Sequence, residues 1–436
     1  VAFSGRLALL IAVGIVPVIL TGSAVAFPVW LAVVVLVVVL DLALAGSPRR
    51  VTIARNSPDN IRLGESAVAT LYVTNLGRRA IRGVLRDAWP PSAGASPSRH
   101  RVSIPPGERR SFATVLTPFR RGERDAAHVT IRSFGPLRIA ARQATILSGG
   151  RVRVLPPFTS RKHLPSRLAR LRELDGATPL MVRGQGTEFD TLRDYVRGDD
   201  VRSIDWRATA RKRDPHGGQK LVVRTWRPER DRRVVIVVDS GRTSAARIQD
   251  EPRIDTAFES ALLLAALATR AGDRVDLVVF DRRVRARVQG ATGADLLNRM
   301  VNAMAPIEPE LIEMDWDAVP GLVRGVTTGR ALVVLATTVD TPGSARALLG
   351  MLPQLTGKHV VVVSSVTDPA VLAATADRSD RRSVYRAAAA ERALLDASRV
   401  AAAVRQSGAE IVSAAPSELP PALADTYLAL KRAGRL

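Results

Sequence analysis

The chain has 436 residues, enough for two or three domains with separate cores, and 64 Lys plus Arg against 41 Asp plus Glu give it a formal net charge of +23. It contains no cysteine, which excludes disulfide frameworks, thiolate metal sites and cysteine nucleophiles. The basic residues are spread along the chain without a lysine-rich tail, so the charge reads either as an arginine-rich background or as apposition to an anionic surface, lipid headgroups before nucleic acid.

Residues 7–20 and 29–40 are apolar runs whose flanks extend each to about the 20 residues that a bilayer requires. With only Thr21-Gly22-Ser23 between them, they predict a transmembrane helical hairpin over residues 1–46. A secretory signal is the competing reading, since Arg6 precedes the first run and Ala24-Val25-Ala26 has the form of a cleavage site. Cleavage there would leave the second run as an anchor, so membrane attachment through lipid contact follows either way. Arg6 before the first run and Arg49-Arg50 after the second place both ends in the cytoplasm by the positive-inside rule. The expectation is a two-span protein of the cell membrane with cytoplasmic soluble domains. Asp41 reads as a hydrated interfacial carboxylate, with a functional intramembrane role as the alternative.

Over 51–150 the pattern changes to short alternating segments. Ala67, Ala69, Leu71 and Val73 alternate with Val68, Thr70, Tyr72 and Thr74, and Pro and Gly clusters punctuate the run. An antiparallel β-sandwich is expected, with His100 and His128 facing solvent. Residues 151–183 read as a connector: a strand stopped by Pro156-Pro157, then a basic, partly helical segment. From 184 to 436 strand-like runs at 234–238, 275–280, 331–335 and 360–363 alternate with helical patterns. These fall at 254–262, 293–304, 343–352, 386–406 and 420–431. That alternation predicts an α/β domain with a mostly parallel sheet covered on both faces, its ligands beyond the carboxyl ends of the strands. Asp239 stands at one such end.

The stretch from Gly184 to Ala210 is the densest concentration of unusual residues. It sets Glu188, Asp190, Asp194, Asp199, Asp200 and Asp205 among Arg193, Arg197, Arg202 and Arg207, with Phe189, Tyr195 and Trp206 as apolar anchors. Two readings stand side by side: a docking surface whose alternating charge selects a partner, or Asp–Arg pairs closing a loop around Tyr195 and Trp206 within the domain. Hydrolysis by the adjacent Asp199 and Asp200 is disfavoured, because neighbouring arginines depress a carboxyl pKa when a general acid needs it raised.

Asp239-Ser240-Gly241-Arg242-Thr243 resembles the first loop of a von Willebrand factor A domain, whose Asp-x-Ser-x-Ser pattern holds a divalent cation. The resemblance implies a degenerate site for Mg²⁺ or another divalent ion at Asp239 and Thr243, with Thr292 as the hydroxyl of the second loop. Gly241 replaces the middle hydroxyl, and the third-loop carboxylate is displaced to Asp340 in Thr337-Thr338-Val339-Asp340. Asp239 as a simple turn cap is the alternative. Together with Gly184-x-Gly186-x-Glu188-Phe189 and Leu192-Arg193-x-Tyr195-x-x-Gly198-Asp199-Asp200-x-Arg202-x-Ile204-Asp205-Trp206, the pattern resembles the signature of the bacterial family called domain of unknown function 58, DUF58. The resemblance implies a membrane hairpin, a sandwich and a von Willebrand A-like domain in series. It also implies a partner, a MoxR-type AAA+ ATPase with which such proteins are thought to act as adaptors or co-chaperones.

No Gly-x-x-x-x-Gly-Lys-Ser/Thr run supplies a nucleotide site, and His-Glu-x-x-His and Gly-x-Ser-x-Gly are likewise missing from the sequence. A cytoplasm-facing adaptor without enzymatic activity is therefore expected, with no specific nucleic acid as partner. The alternatives are a metal-dependent hydrolase using Asp239 and the acidic stretch, and binding of anionic lipid or nucleic acid through basic surface.

Overall fold

The computed structural model describes residues 1–176, 188–196, 201–211, 221–227 and 232–436, with the backbone only for 174–176, 188–191 and 225–227. The chain divides into two compact units, Val1–Pro157 and Phe158–Leu436. The first boundary expected at 150 thus moves to 157, because the last strand of the sandwich continues through Leu155.

The first unit begins with β1 (Ala2–Phe3) and three apolar helices, α1 (Gly5–Val13), α2 (Ile15–Thr21) and α3 (Ala26–Leu44). The helices form a hairpin whose arms meet where Trp30 Nε1 donates to the Leu10 carbonyl at 3.0 Å. Among the described residues one helix, Ala26–Leu44, is long and apolar enough to cross a membrane, with a hydropathy of 2.7. The other arm, Gly5–Thr21, is apolar but shorter and is broken at Gly14.

The sandwich follows as β2 (Val51–Asn56), β3 (Asn60–Arg62), β4 (Ala67–Asn75), β5 (Ile81–Asp87), β6 (Ala95–Ser96), β7 (Arg99–Ile104), β8 (Arg109–Leu116), β9 (Gly122–Phe134) and β10 (Ala140–Leu155). One sheet runs β1-β10-β9-β5-β7, with β3 added in parallel to β10, and the other runs β2-β4-β8-β6. The alternation read from the sequence is the observed one: Ala69, Leu71 and Val73 are buried on the inner face of β4. Leu71 and Val73 share a core with Ile81, Leu85, Ile104, Val129 and Ile131. His100 is not solvent-facing, since its Nε2 lies 3.0 Å from the hydroxyl of Thr114 and its ring is tilted on Phe112.

Asp41 corrects a second expectation. Rather than a hydrated carboxylate it is 1% exposed. Its Oδ1 accepts the Leu137 N–H at 2.8 Å, and its Oδ2 accepts those of Ile139 and Ala140 at 2.9 and 3.0 Å. Leu137 and Ile139 belong to the turn between β9 and β10, and Ala140 opens β10. Gly135 is needed there because a Cβ would fall 2.2 Å from the Asp41 carboxylate. The other end of the hairpin grips the same turn. Ala2 and Phe3 pair with Ala141 and Ala140, the Ser4 hydroxyl donates to the Arg138 carbonyl at 2.6 Å, and Arg6 donates to the Leu137 carbonyl at 3.1 Å.

The second unit opens on α4 (Leu164–Gly176), a packed helix rather than a free connector: its Arg167 and Arg170 hold Asp425 at 2.7 and 3.1 Å. A two-stranded antiparallel pair, β11 (Glu188–Asp194) and β12 (Val222–Arg227), brackets the short helix α5 (Trp206–Arg211). Then come β13 (Arg233–Asp239), the two-residue strands β14 (Arg247–Ile248) and β15 (Glu251–Pro252), α6 (Arg253–Arg270), β16 (Arg274–Phe280), β17 (Val284–Val288) and α7 (Gly293–Met304). The chain ends with α8 (Val319–Val326), β18 (Ala331–Ala336), α9 (Pro342–Thr356), β19 (Val360–Val366), α10 (Pro369–Ala374), α11 (Arg381–Gln406), β20 (Glu410–Ala414) and α12 (Leu419–Arg432). The sheet order is β17-β16-β13-β18-β19-β20, parallel except for the edge strand β17. Counted from β13 this is the doubly wound order 3-2-1-4-5-6, with its switch point between β13 and β18. The four expected strands and the amphipathic helices occur; α6 is buried from Ile254 through Ala268 because it packs between the sheet and α7, α12 and α4.

Replacing Asp41 by Ala leaves two buried and one partly buried backbone donors without an acceptor. The expected loss is about 3 kcal/mol or more, read as a lowered unfolding temperature of the detergent-solubilised chain, with Asp41→Asn losing less than Asp41→Ala.

Candidate functional site

Asp239 and the residues around it occupy the carboxyl edge of the sheet at the switch point. Val238 is level with Ala336 across the β13–β18 pair, so the next residues, Asp239 and Thr337, emerge side by side. The Thr337 hydroxyl donates to Asp239 Oδ2 at 2.7 Å and the Thr243 hydroxyl to the same oxygen at 3.2 Å, while Oδ1 accepts the Gly241 N–H at 2.7 Å. Ser244 donates to the Asp239 carbonyl at 2.7 Å and closes the turn. Burial pushes the Asp239 carboxyl above the usual aspartate range, against the hydrogen bonds from Thr337, Gly241 and Thr243, and the neighbouring Asp281 adds to the rise.

Asp281 follows β16 and is fully buried. Burial acts to raise its pKa, but the Arg285 guanidinium, the N–H groups of Arg282 and Arg283 and the Ser240 hydroxyl outweigh it and hold the carboxyl below the usual range. Arg285 Nε lies 2.5 Å from Asp281 Oδ2, and its Nη1 reaches Glu310 at 3.2 Å. A loop after α7 lies over this edge: Glu310 N–H donates to the Ser240 carbonyl, Arg242 N–H to Ile312 and Asp315 N–H to Asp281, each at 2.8 Å. Sequence reasoning missed Asp281 and Arg285, although a carboxylate directly after the run 275–280 is the same signal that singled out Asp239. The Ile312 carbonyl left no signal in the sequence.

The cation set implied by the resemblance is not brought together. Asp239 and Thr243 meet, but Thr292 does not join them. Strand β17 runs antiparallel to β16 with Val288 level with Leu277, so the chain beyond it leaves toward Arg274, at the amino edge of the sheet. The displaced carboxylate Asp340 is held by Arg253 Nη1 at 2.6 Å. At Gly241 an added Cβ would lie 2.8 Å from the Ile312 carbonyl oxygen and 3.0 Å from Asp239 Oδ1, so the middle hydroxyl is replaced by packed backbone. Among the described residues no group of three or more His, Asp or Glu side chains is placed to hold a metal. Both oxygens of the Asp239 carboxylate accept from protein donors, the hydroxyls of Thr243 and Thr337 among them.

The signature segment is only partly within the described residues: Gly198, Asp199 and Asp200 lie outside them, as do the side chains of Glu188 and Phe189. In the rest Asp205 and Thr209 turn inward while several apolar side chains face outward. Asp205 accepts the Ala208 N–H at 3.0 Å, capping α5, and Arg224 Nε at 2.7 Å; these two bonds hold its pKa below the usual range. Thr209, buried, accepts the Val222 N–H at 3.0 Å, and Tyr195, half-buried, donates its N–H to the Leu221 carbonyl at 2.8 Å. Arg193 donates to the Asp194 carbonyl at 3.2 Å, and Arg202 lies exposed in the 3₁₀ turn Val201–Ser203. Trp206, expected as a buried anchor, is 69% exposed, and Leu192, Val196 and Val201 are exposed as well.

Residues 191–374 match the model of the family described as "Protein of unknown function DUF58". The match lies within the second unit and covers less than half of the chain. Uncharacterized proteins of Mycobacterium bovis and Mycobacterium tuberculosis are each 25% identical to this chain over 191 residues, 43% of this chain and 57% of theirs. The match thus spans little more than half the length of those relatives. Among solved structures, the SpRpn10 VWA domain overlaps 45% of this chain and 94% of its own at 10% identity, with a TM-score of 0.28. An aerotolerance-related membrane protein from Bacteroides fragilis overlaps 31% of this chain and 67% of its own at 18% identity, with a TM-score of 0.23. The fold class of the second unit rests on its strand order, not on these overlaps.

Two outcomes follow from the closed site. Gly241→Ser, which would supply the missing hydroxyl, destabilises the domain by about 1–3 kcal/mol through overpacking and gives no Mg²⁺-dependent rise in unfolding temperature. Asp239 has a raised folded-state pKa, so its contribution is greatest below the unfolded pKa and declines as pH rises through the window above it. Urea titrations of Asp239→Asn across that window should therefore show a flatter pH dependence than the parent chain.

Proposed function

We propose that the protein is a membrane-anchored adaptor whose DUF58 unit docks a partner protein through the face of the signature segment. The observation that carries this reading is the exposure of Trp206, Val196 and Val201, while Asp205 and Arg224 pair within the domain. Tryptophan set among near-neutral contacts is the commonest kind of binding hot spot, and a large apolar side chain left in water marks a surface made to be covered. Both readings of the stretch thus have a share: pairing shapes the surface, and the aromatic residue presents it.

As partner we propose a MoxR-type AAA+ ATPase, on the strength of the family resemblance, with the DUF58 protein acting as adaptor or co-chaperone rather than as an enzyme. The closed Asp239 site supports a scaffolding role for the von Willebrand A-like sheet, with a degenerate cation motif serving as a turn lock. For the anchor we propose two spans, α1–α2 and α3, with the sandwich and DUF58 units in the cytoplasm. At 1.5 Å per residue, α3 and the Gly5–Thr21 arm are each about 25–30 Å long, close to the hydrocarbon thickness of a bilayer. Both ends of the hairpin grip one turn of the sandwich, as two spans with ends on the same side require. A hydrolase using Asp239 has no comparable support.

Trp206→Ala should cut co-purification of the AAA+ ATPase from gently solubilised membranes at least about tenfold, with the unfolding transition unchanged. Equal retention of the ATPase by parent and variant would remove the docking assignment. Protease added outside intact cells should leave residues 51–436 uncut; digestion there would reverse the orientation.

A further inference from the structure

Residues 1–157 contain 21 arginines, no lysine and seven acidic residues, so the smaller unit holds more than half of the net charge. Arginines from separate parts of this unit gather where the hairpin meets the sandwich. On the entry side Arg6 reaches the turn that carries Leu137 and Arg138, and both turn residues are exposed. On the exit side Gly46 packs directly against the loop 76–80, since a Cβ there would fall 2.4 Å from the Ala80 carbonyl oxygen. That loop presents Arg79 and Leu76, and Leu76 N–H donates to the carbonyl of the exposed Arg50 at 2.9 Å. The acidic side chains at this end are accounted for. Asp41 is buried under its three N–H donors, and Glu108, in the loop beside Asn75, is paired with Arg110 at 2.6 Å.

We infer that this collar of arginines with the exposed leucines Leu76 and Leu137 is a binding surface for anionic phospholipid headgroups, seating the sandwich on the bilayer. It rests on the reading of the hairpin as a membrane anchor. If the hairpin spans the bilayer, its base lies in the headgroup layer, where exposed leucines reach the acyl boundary and guanidinium groups meet phosphate at the surrounding level. The turn 135–140 is bonded to both ends of the hairpin, so the collar cannot lift away without breaking the Asp41 and Arg6 contacts. The seat is therefore a rigid feature of the unit and not a tethered contact.

The absence of native cysteine allows single labelling sites in the full chain. Leu137→Cys and, in the middle of α3, Leu36→Cys carry a fluorophore in vesicles of phosphatidylcholine and phosphatidylglycerol, with a nitroxide quencher on one lipid headgroup or in the acyl chain. The expected result is acyl-chain quenching at position 36 and headgroup quenching at 137. At 137, nitroxide phosphatidylglycerol should exceed nitroxide phosphatidylcholine by about fivefold, the scale of one arginine at an anionic surface. That preference should fall toward parity in high salt or in Arg79→Glu/Arg138→Glu. Quenching at 36 without any at 137, or equal quenching by the two lipids at 137, overturns the collar and leaves the anchor standing. No quenching at 36 overturns the anchor and the collar with it.

Discussion

The carboxylate of Asp41 is the fixed point of the first unit. A buried carboxylate that accepts three backbone N–H groups replaces the solvation it has lost, and it satisfies donors at the turn into β10. One side chain at the end of an apolar helix therefore satisfies the connection of a β-sandwich. With the β1 pairing and Arg6 on the same turn, helix ends and sheet become one rigid body.

At the carboxyl edge of the second unit's sheet the chemistry is complementary. A von Willebrand A-like loop would ordinarily gather oxygens around a cation, whereas here protein groups provide the positive charge and the donors. Arg285 joins Asp281 to Glu310, Arg253 holds Asp340, and hydroxyls of Thr243 and Thr337 converge on Asp239. Each carboxylate that a metal site might have used already has a partner. The edge is thereby held by protein groups, and on the signature face Trp206 stands exposed.

Much of this was legible in the sequence, and the failures share a physical cause. Periodicity located the β4 face, the four central strands and α6, because burial of one face imposes its spacing on the chain whatever else happens. The strand β20, with no fully buried residue, gave too weak an alternation to register. Side-chain partners were the poorest inference. Asp41 was read from its distance to the bilayer edge, yet its environment is set by residues about 96 positions away. Thr292 was grouped with Asp239 by family order, and the antiparallel edge strand carried it to the other end of the sheet. Trp206 was taken as an anchor because aromatics are costly to expose; that same cost is what makes its exposure informative.

The central claim is that the face bearing Trp206 meets a AAA+ ATPase at the membrane. A photo-reactive benzoylphenylalanine placed at position 206 of the full chain, activated in intact cells, tests it most directly. The account predicts a cross-linked product containing the ATPase and dependent on the membrane-bound protein. Cross-links confined to the protein's own chain, or to proteins without a AAA+ module, would contradict it.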